Sequence, residues 1–277
     1  MEYKIVADSC CDISSELKKE WNVESVPLIM TLDEKCFTDD DRLDLPQYME
    51  EMKKHKGRVG SAAPAPYLYK KAFDGKHTSF AVTISGNLSG SYSSAMVAKT
   101  MAEEDGTADV HVFDSKSASA GELLIASKIR NFINQGLQKL EIISLVEKFI
   151  DEMKTYFIIY NIDNLMKNGR LNKIAGKIIS VLNIKPLMRA DGNGNIALFS
   201  YARSRKEVVN KLANTIKDSG KNTEGESVVI THCNNKSLAE ELGALIKERY
   251  RFKEILISPT KGLSSMYVND QGVIMAF

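Results

Sequence analysis

The sequence has little cysteine, no excess of either charge and no long apolar run, and each shortage removes a class of function. Only four cysteines stand among 277 residues. Adjacent Cys10 and Cys11 could not share one tetrahedral zinc or an ordinary disulfide without strain, and Cys36 and Cys233 lie far apart in the chain. A reducing compartment is expected. Lys plus Arg total 37 against 36 for Asp plus Glu, so no broad field draws the chain to nucleic acid or to an anionic membrane, and any basic function must be local. No stretch approaches the ~18 apolar residues that span a bilayer. The opening MEYKIVADSCC lacks the basic segment and apolar run of an export signal, so a cytoplasmic location is expected. In that setting the glycosylation patterns at Asn87 and Asn235 carry no meaning. Internal repeats and low-complexity linkers are also missing, so any two domains should abut.

What is present is a core-forming chain with 43% apolar residues. Short apolar runs at Lys4–Ala7, Ser25–Met30, Phe80–Ile84 and Val110–Phe113 alternate with helical patterns at 14–21, 45–55, 91–101 and 120–134. That alternation is the signature of a parallel sheet covered by helices. The helix at Leu45 is well signalled by the capping Asp44 and by Pro46 in its first turn. A further helical period over 140–153 places Ile143, Val146, Phe149 and Ile150 on one face. From Asn161 the character changes. Lys167, Arg170, Lys173 and Lys177 stand among small residues, then Ile184–Met188 and Ile196–Tyr201 flank the turn Asp191-Gly192-Asn193-Gly194, which predicts a β-hairpin. Helices over 205–218 and 237–250 and strands at Val228–Thr231 and near Ile255 and Val273 complete the pattern. The expected architecture is two α/β domains, 1–160 with a parallel sheet flanked by helices and a smaller α/β sandwich over 161–277, with the ligand between them.

Ligands of parallel sheets collect beyond the carboxyl ends of strands. The most informative such junction is ISGNLSGSYSSA, Ile84 to Ala95, which runs from strand through a Gly-rich turn into a helix and aims free amides and small hydroxyls at one place. The same residues could form an ordinary turn in which Ser89 or Ser91 caps the helix. No lysine precedes the helix start, as a triphosphate loop requires, and Gly86-Asn87-Leu88-Ser89-Gly90 does not have nucleophile-elbow spacing, so a carboxylate or a single phosphate fits better. Asp8-Ser9 and Asp114-Ser115 also follow strands, where Asp and Ser commonly cap. His55, His77, His111 and His232 are scattered, and only His232 follows a strand end. Asp39-Asp40-Asp41 reads as a solvated loop without regularly spaced oxygen ligands. Trp21 reads as a packing residue.

In order and approximate spacing, ADSCCDI (Ala7–Ile13), GSAAPAP (Gly60–Pro66), ISGNLSGSYSSA, FDS (Phe113–Ser115), NGRLNKIAGKIISVLNIKPL (Asn168–Leu187) and YARSRKEV (Tyr201–Val208) resemble DegV-family proteins. The resemblance implies a bacterial fatty-acid-binding protein with two α/β domains and a buried acyl tunnel. It implies no catalysis and no cofactor or metal. The family's partner is a separate ATP-binding kinase subunit, which converts the presented carboxylate to an acyl phosphate. Ser61 then stands where the family usually has Thr, Ser89 is the Ser of its Leu-Ser-Gly motif with Gly90 beside it, and Ser91 replaces a usual Thr. The family's terminal His-x-Gly-Pro-Gly is absent, and Tyr267 or Val268 falls at the His position. Arg170 and Arg203 match family positions, where they would form a basic edge facing the kinase or, transiently, a membrane, or else be solvated or held in an intramolecular ion pair. Ile158, Leu165, Ile178, Leu182 and Ile184 are the tunnel residues expected. An alternative from another class is an enzyme acting on a carboxylated or phosphorylated metabolite at the Ser85–Ser91 loop, with Asp8, Asp114 and His232 gathered there as acid or base groups.

Overall fold

The computed structural model describes residues 2–75, 77–171 and 184–277. The first part contains β1 (Tyr3–Asp8), α1 (Ser15–Glu20), β2 (Val23–Val26), β3 (Ile29–Leu32), β4 (Lys35–Thr38), α2 (Leu45–Lys54), β5 (Val59–Ala62) and α3 (Pro66–Phe73). There follow β6 (Thr78–Thr83), α4 (Ser91–Glu104), β7 (Asp109–Asp114), α5 (Ala120–Asn134) and α6 (Lys139–Glu152). The last part runs β8 (Thr155–Ile158), α7 (Asp163–Lys167), β9 (Lys185–Ala190), β10 (Ile196–Ala202), α8 (Arg205–Asp218), β11 (Ser227–His232), α9 (Lys236–Arg249), β12 (Glu254–Pro259), α10 (Gly262–Val268) and β13 (Val273–Ala276).

The expected parallel sheet is present, in the order β2-β1-β6-β7. All six residues of β6 are buried because helices cover both faces, and α4 packs closely there by presenting Ala95, Ala98 and Ala102. The run Ser25–Met30, expected as one strand, is instead divided at Pro27-Leu28. Pro27 has no amide proton for a ladder, and the chain leaves β2 to enter β3 in a separate antiparallel sheet, β4-β3-β5. That small sheet has weak sequence signals, since VGSA and KCFT are short and barely alternate.

The second sheet is mixed, with the order β10-β9-β8-β13-β11-β12. Its two faces sort by strand alternation. Tyr156, Ile158, Leu187, Val228, Ile230 and Met275 pack against α8 and α9, whereas Phe157, Met188, Val229 and Ile274 join a core shared with α5 and the first sheet. Helix α5 lies between the sheets, touching β1 and β6 on one side and β11 and β13 on the other. The predicted hairpin is formed by antiparallel β9 and β10, with Gly192 and Gly194 at φ +84° and +82°. A division after residue 160 would separate β8 from its ladders with β13 and β9. We propose that the second domain begins at Thr155. Among the described residues no helix is long and apolar enough to cross a membrane.

Candidate functional site

A cavity of about 90 Å³ lies between the first-half loops and the second sheet. Alternation along the chain after Lys154 builds one wall, because Thr155, Phe157 and Ile159 all face inward, joined by Ile274 from the neighbouring strand. Ile158 points the other way, fully buried among α8 and α9 residues, which corrects its expected place in the tunnel. Leu165 does line the cavity, Ile184 is half-buried and not part of the wall, and Ile178 and Leu182 lie outside the described residues, as do Lys173 and Lys177.

The polar end comes from loops and short elements. Ser61 on β5 meets Tyr267 on α10 at 2.8 Å between hydroxyl oxygens, and both line the cavity with Ser89 and Arg170. Tyr267 therefore reaches this group of hydroxyls and, unlike Val268, brings a hydroxyl of its own. Ser89 accepts the Ser91 amide at 3.2 Å, so part of its role is local capping, but its own proton remains available to donate. Arg170 donates from Nε to the Leu88 carbonyl at 3.1 Å and from Nη1 to the Asn168 carbonyl, which folds the guanidinium onto the same loop and away from a remote basic edge. Ser89 and Arg170 also line, with Gly90, an outer depression of about 510 Å³, so these two residues border both spaces.

Two expected residues stand apart. Ser91 is fully buried with its back to the cavity; its hydroxyl donates to Asp8 at 2.6 Å and lies 2.6 Å from the Tyr69 hydroxyl. Arg203 is exposed, its amide donating to Glu207, and it lines none of these spaces.

Behind the polar end is a layer of buried acids. Asp8 accepts from the Cys10 and Ile84 amides at 3.1 and 3.0 Å and from Ser91, so it ties the ends of β1 and β6 together. Burial raises its pKa against those hydrogen bonds. Glu122 on α5 is wholly buried beside it, and burial, then the Asp8 charge, push its carboxyl well above the usual range. Asp12 takes the left-handed conformation at φ +52°, accepts from Ser119 and from the Lys261 amide at 2.6 Å, and is pushed by burial to about 7. Asp39 accepts the Gly262 and Leu263 amides at 2.8 and 2.9 Å, fixing the start of α10, and it too is raised by burial. Burial shifts all four carboxyls toward their uncharged form, which lessens their opposition to an anion in the cavity.

Sequence reasoning singled out Asp114-Ser115 at the end of β7 but missed the residues that follow. Lys116, Ser117, Ala118 and Ser119 line the cavity, and Lys116 and Ser119 hold positive φ of +49° and +55°. Non-glycine residues in that region store strain and cluster at ligand sites, but no residue type announces them. Asp8, Asp114 and His232 are not gathered at Ser89. Asp8 is consumed as described, Asp114 accepts the Gly86 and Lys116 amides at 3.1 and 2.9 Å, and His232 faces a separate cleft of about 660 Å³.

The model of the DegV family matches residues 2–274. A DegV domain-containing protein of Streptococcus pyogenes serotype M18 is 34% identical over 280 residues, covering 100% of this chain and 99% of the relative. A crystal structure of a DegV-family protein from Ruminococcus gnavus with vaccenic acid superposes with a TM-score of 0.93 at 35% identity, covering 99% of both chains. The Streptococcus pneumoniae Fatty Acid Kinase (Fak) B3 protein, loaded with linoleic acid, gives 0.91 at 33% identity over 100% of this chain and 99% of the other.

Proposed function

The chain belongs to the DegV family, and from that premise we propose that it binds a long-chain fatty acid, with the carboxylate at Ser61, Tyr267 and Ser89 and the acyl chain along the Phe157 wall. The observation that carries this reading is the Ser61–Tyr267 hydroxyl pair in the lining of a cavity that Phe157, Ile159, Leu165 and Ile274 also line. A carboxylate leaving water needs charge-assisted hydrogen bonds, and hydroxyls supply them without burying a second charge. The tyrosine hydroxyl does in neutral form what a histidine would do by donation, and it adds no positive charge.

The protein acts as a carrier with no chemistry of its own. The acid and base groups that an enzyme at this loop would need are spent as backbone acceptors or face another cleft. Since Ser89 and Arg170 border both the cavity and the outer depression, the head group can be offered at the surface to a second protein. An ATP-binding kinase subunit is the partner this arrangement suits, and the cytoplasm the compartment. Mass spectrometry of organic extracts of the purified protein should find C14 to C18 fatty acids, and those acids should raise its melting temperature. No lipid together with no shift from any of them would overturn the reading.

A further inference from the structure

The turn between β9 and β10 closes one side of the cavity, with Gly194, Asn195 and Ile196 in the wall. It rests on the loop after β6. Ser85, fully buried, donates its hydroxyl to the Gly194 carbonyl at 2.9 Å and accepts the Asn87 amide at 3.2 Å. The Asn87 side chain donates to the Asn193 carbonyl at 2.6 Å. A Cβ on Gly194 would fall 2.1 Å from the Ser85 hydroxyl and 3.0 Å from the Lys116 Cα, so the turn fits here only as glycine.

The turn is braced within itself, since Asp191 accepts the Asn193 and Asn195 amides at 2.9 and 3.0 Å and its own amide donates to the Asn195 carbonyl at 3.0 Å. It also sits on β10, which among the described residues is the edge strand of its sheet, so it can swing without breaking a ladder on its far side. Movement is required. The cavity's 90 Å³ is below the ~150 Å³ that admits a six-carbon ring, and a long acyl chain enters only when the walls part.

We propose that Ser85 is a positioning residue that latches the 191–195 turn across the cavity, and that release of this latch is the step at which the acyl chain exchanges. The same hydroxyl holds the Asn87 amide, so the latch also steadies the loop that carries Ser89. This inference rests on the fatty-acid reading above, and its test separates the two.

With cis-parinaric acid as the probe, Ser85→Ala should raise the dissociation rate about tenfold, the loss expected from one buried hydrogen bond. Affinity should change less, because entry also quickens. A cross-link made by Asn87→Cys with Asn193→Cys, in a Cys36→Ser background and verified by mass, should slow dissociation at least about tenfold when oxidised and recover on reduction, because closing a loop covalently removes its open states. Equal rates in the oxidised and reduced forms would overturn the latch. In ligand-free protein, Ser85→Ala should speed hydrogen–deuterium exchange of the amides at 191–196. Unchanged exchange there would sink the latch even if no fatty acid bound, a result that would by itself count only against the binding reading.

Discussion

The two ends of the cavity are built from opposite materials. The polar end is an assembly of loops and short elements, in which Ser61 comes from a four-residue strand, Ser89 from a turn and Tyr267 from a seven-residue helix. The apolar wall is a regular sheet face, read off by alternation through Thr155, Phe157 and Ile159. The loops need buried acids and positive-φ residues to hold their shape, whereas the sheet needs only its ladders. Orientation is set where structure is costly, and affinity is gathered where it is cheap.

The largest test of this division varies the ligand. Each buried methylene contributes ~0.8 kcal/mol, so an eight-carbon acid should bind more weakly than a sixteen-carbon acid by about 6 kcal/mol, more than ten-thousandfold. Competition binding decides it. Affinities within tenfold of each other would move the affinity to the head group and reverse the comparison.

A pair of neighbours sharpens the wall. Phe157→Ala and Ile158→Ala should each destabilise the fold, by about 3–5 and 2–5 kcal/mol respectively in urea titrations. Only Phe157→Ala should alter chain-length preference, toward longer acids, because Ile158 faces α8 and α9. A changed preference in Ile158→Ala would show that the wall has been assigned to the wrong face.

The same contrast explains what the sequence disclosed. The parallel sheet, the hairpin with its glycine turn, and the strand-to-helix junction at Ile84 were legible because each depends on local chemistry: apolar alternation, positive-φ glycines and a hydroxyl-rich loop. Ser61 and Tyr267 could be singled out only by resemblance, since their meeting across 206 residues leaves no local trace. Ile158 was misplaced because adjacent apolar residues in a strand look alike until the sheet has two occupied sides. Ser91 was misplaced because its hydroxyl, one residue into the helix, turns toward Asp8. The loop at Lys116 to Ser119 was invisible, its conformation being imposed by tertiary contacts.

Next in size is the acid layer behind the polar end. Burial raises the Asp12 carboxyl from the ordinary aspartate value to about 7 on folding, so between about pH 4 and 7 the folded chain keeps a proton that the unfolded chain has released. Stability should therefore fall as pH rises through that window and level off above it, on the order of 4 kcal/mol in all. Urea unfolding at several pH values measures the slope, and Asp12→Asn should flatten part of it. An undiminished slope in that variant would assign the effect to Glu122 or Asp39.

The smallest effects belong to the hydroxyls and discriminate best. Ser61→Ala and Tyr267→Phe should each weaken fatty acid binding by about 1.5–3 kcal/mol, because each removes one hydrogen bond to a charged group. Since the two hydroxyls touch each other, the double variant should cost less than the sum. Ser89→Ala should behave like either single variant. Ser91→Ala should leave affinity near wild type and lower stability, since its partner is Asp8 and not the ligand. Isothermal titration beside thermal melting separates the two outcomes, and strict additivity of Ser61→Ala with Tyr267→Phe would mean that the carboxylate sits on only one side of the pair.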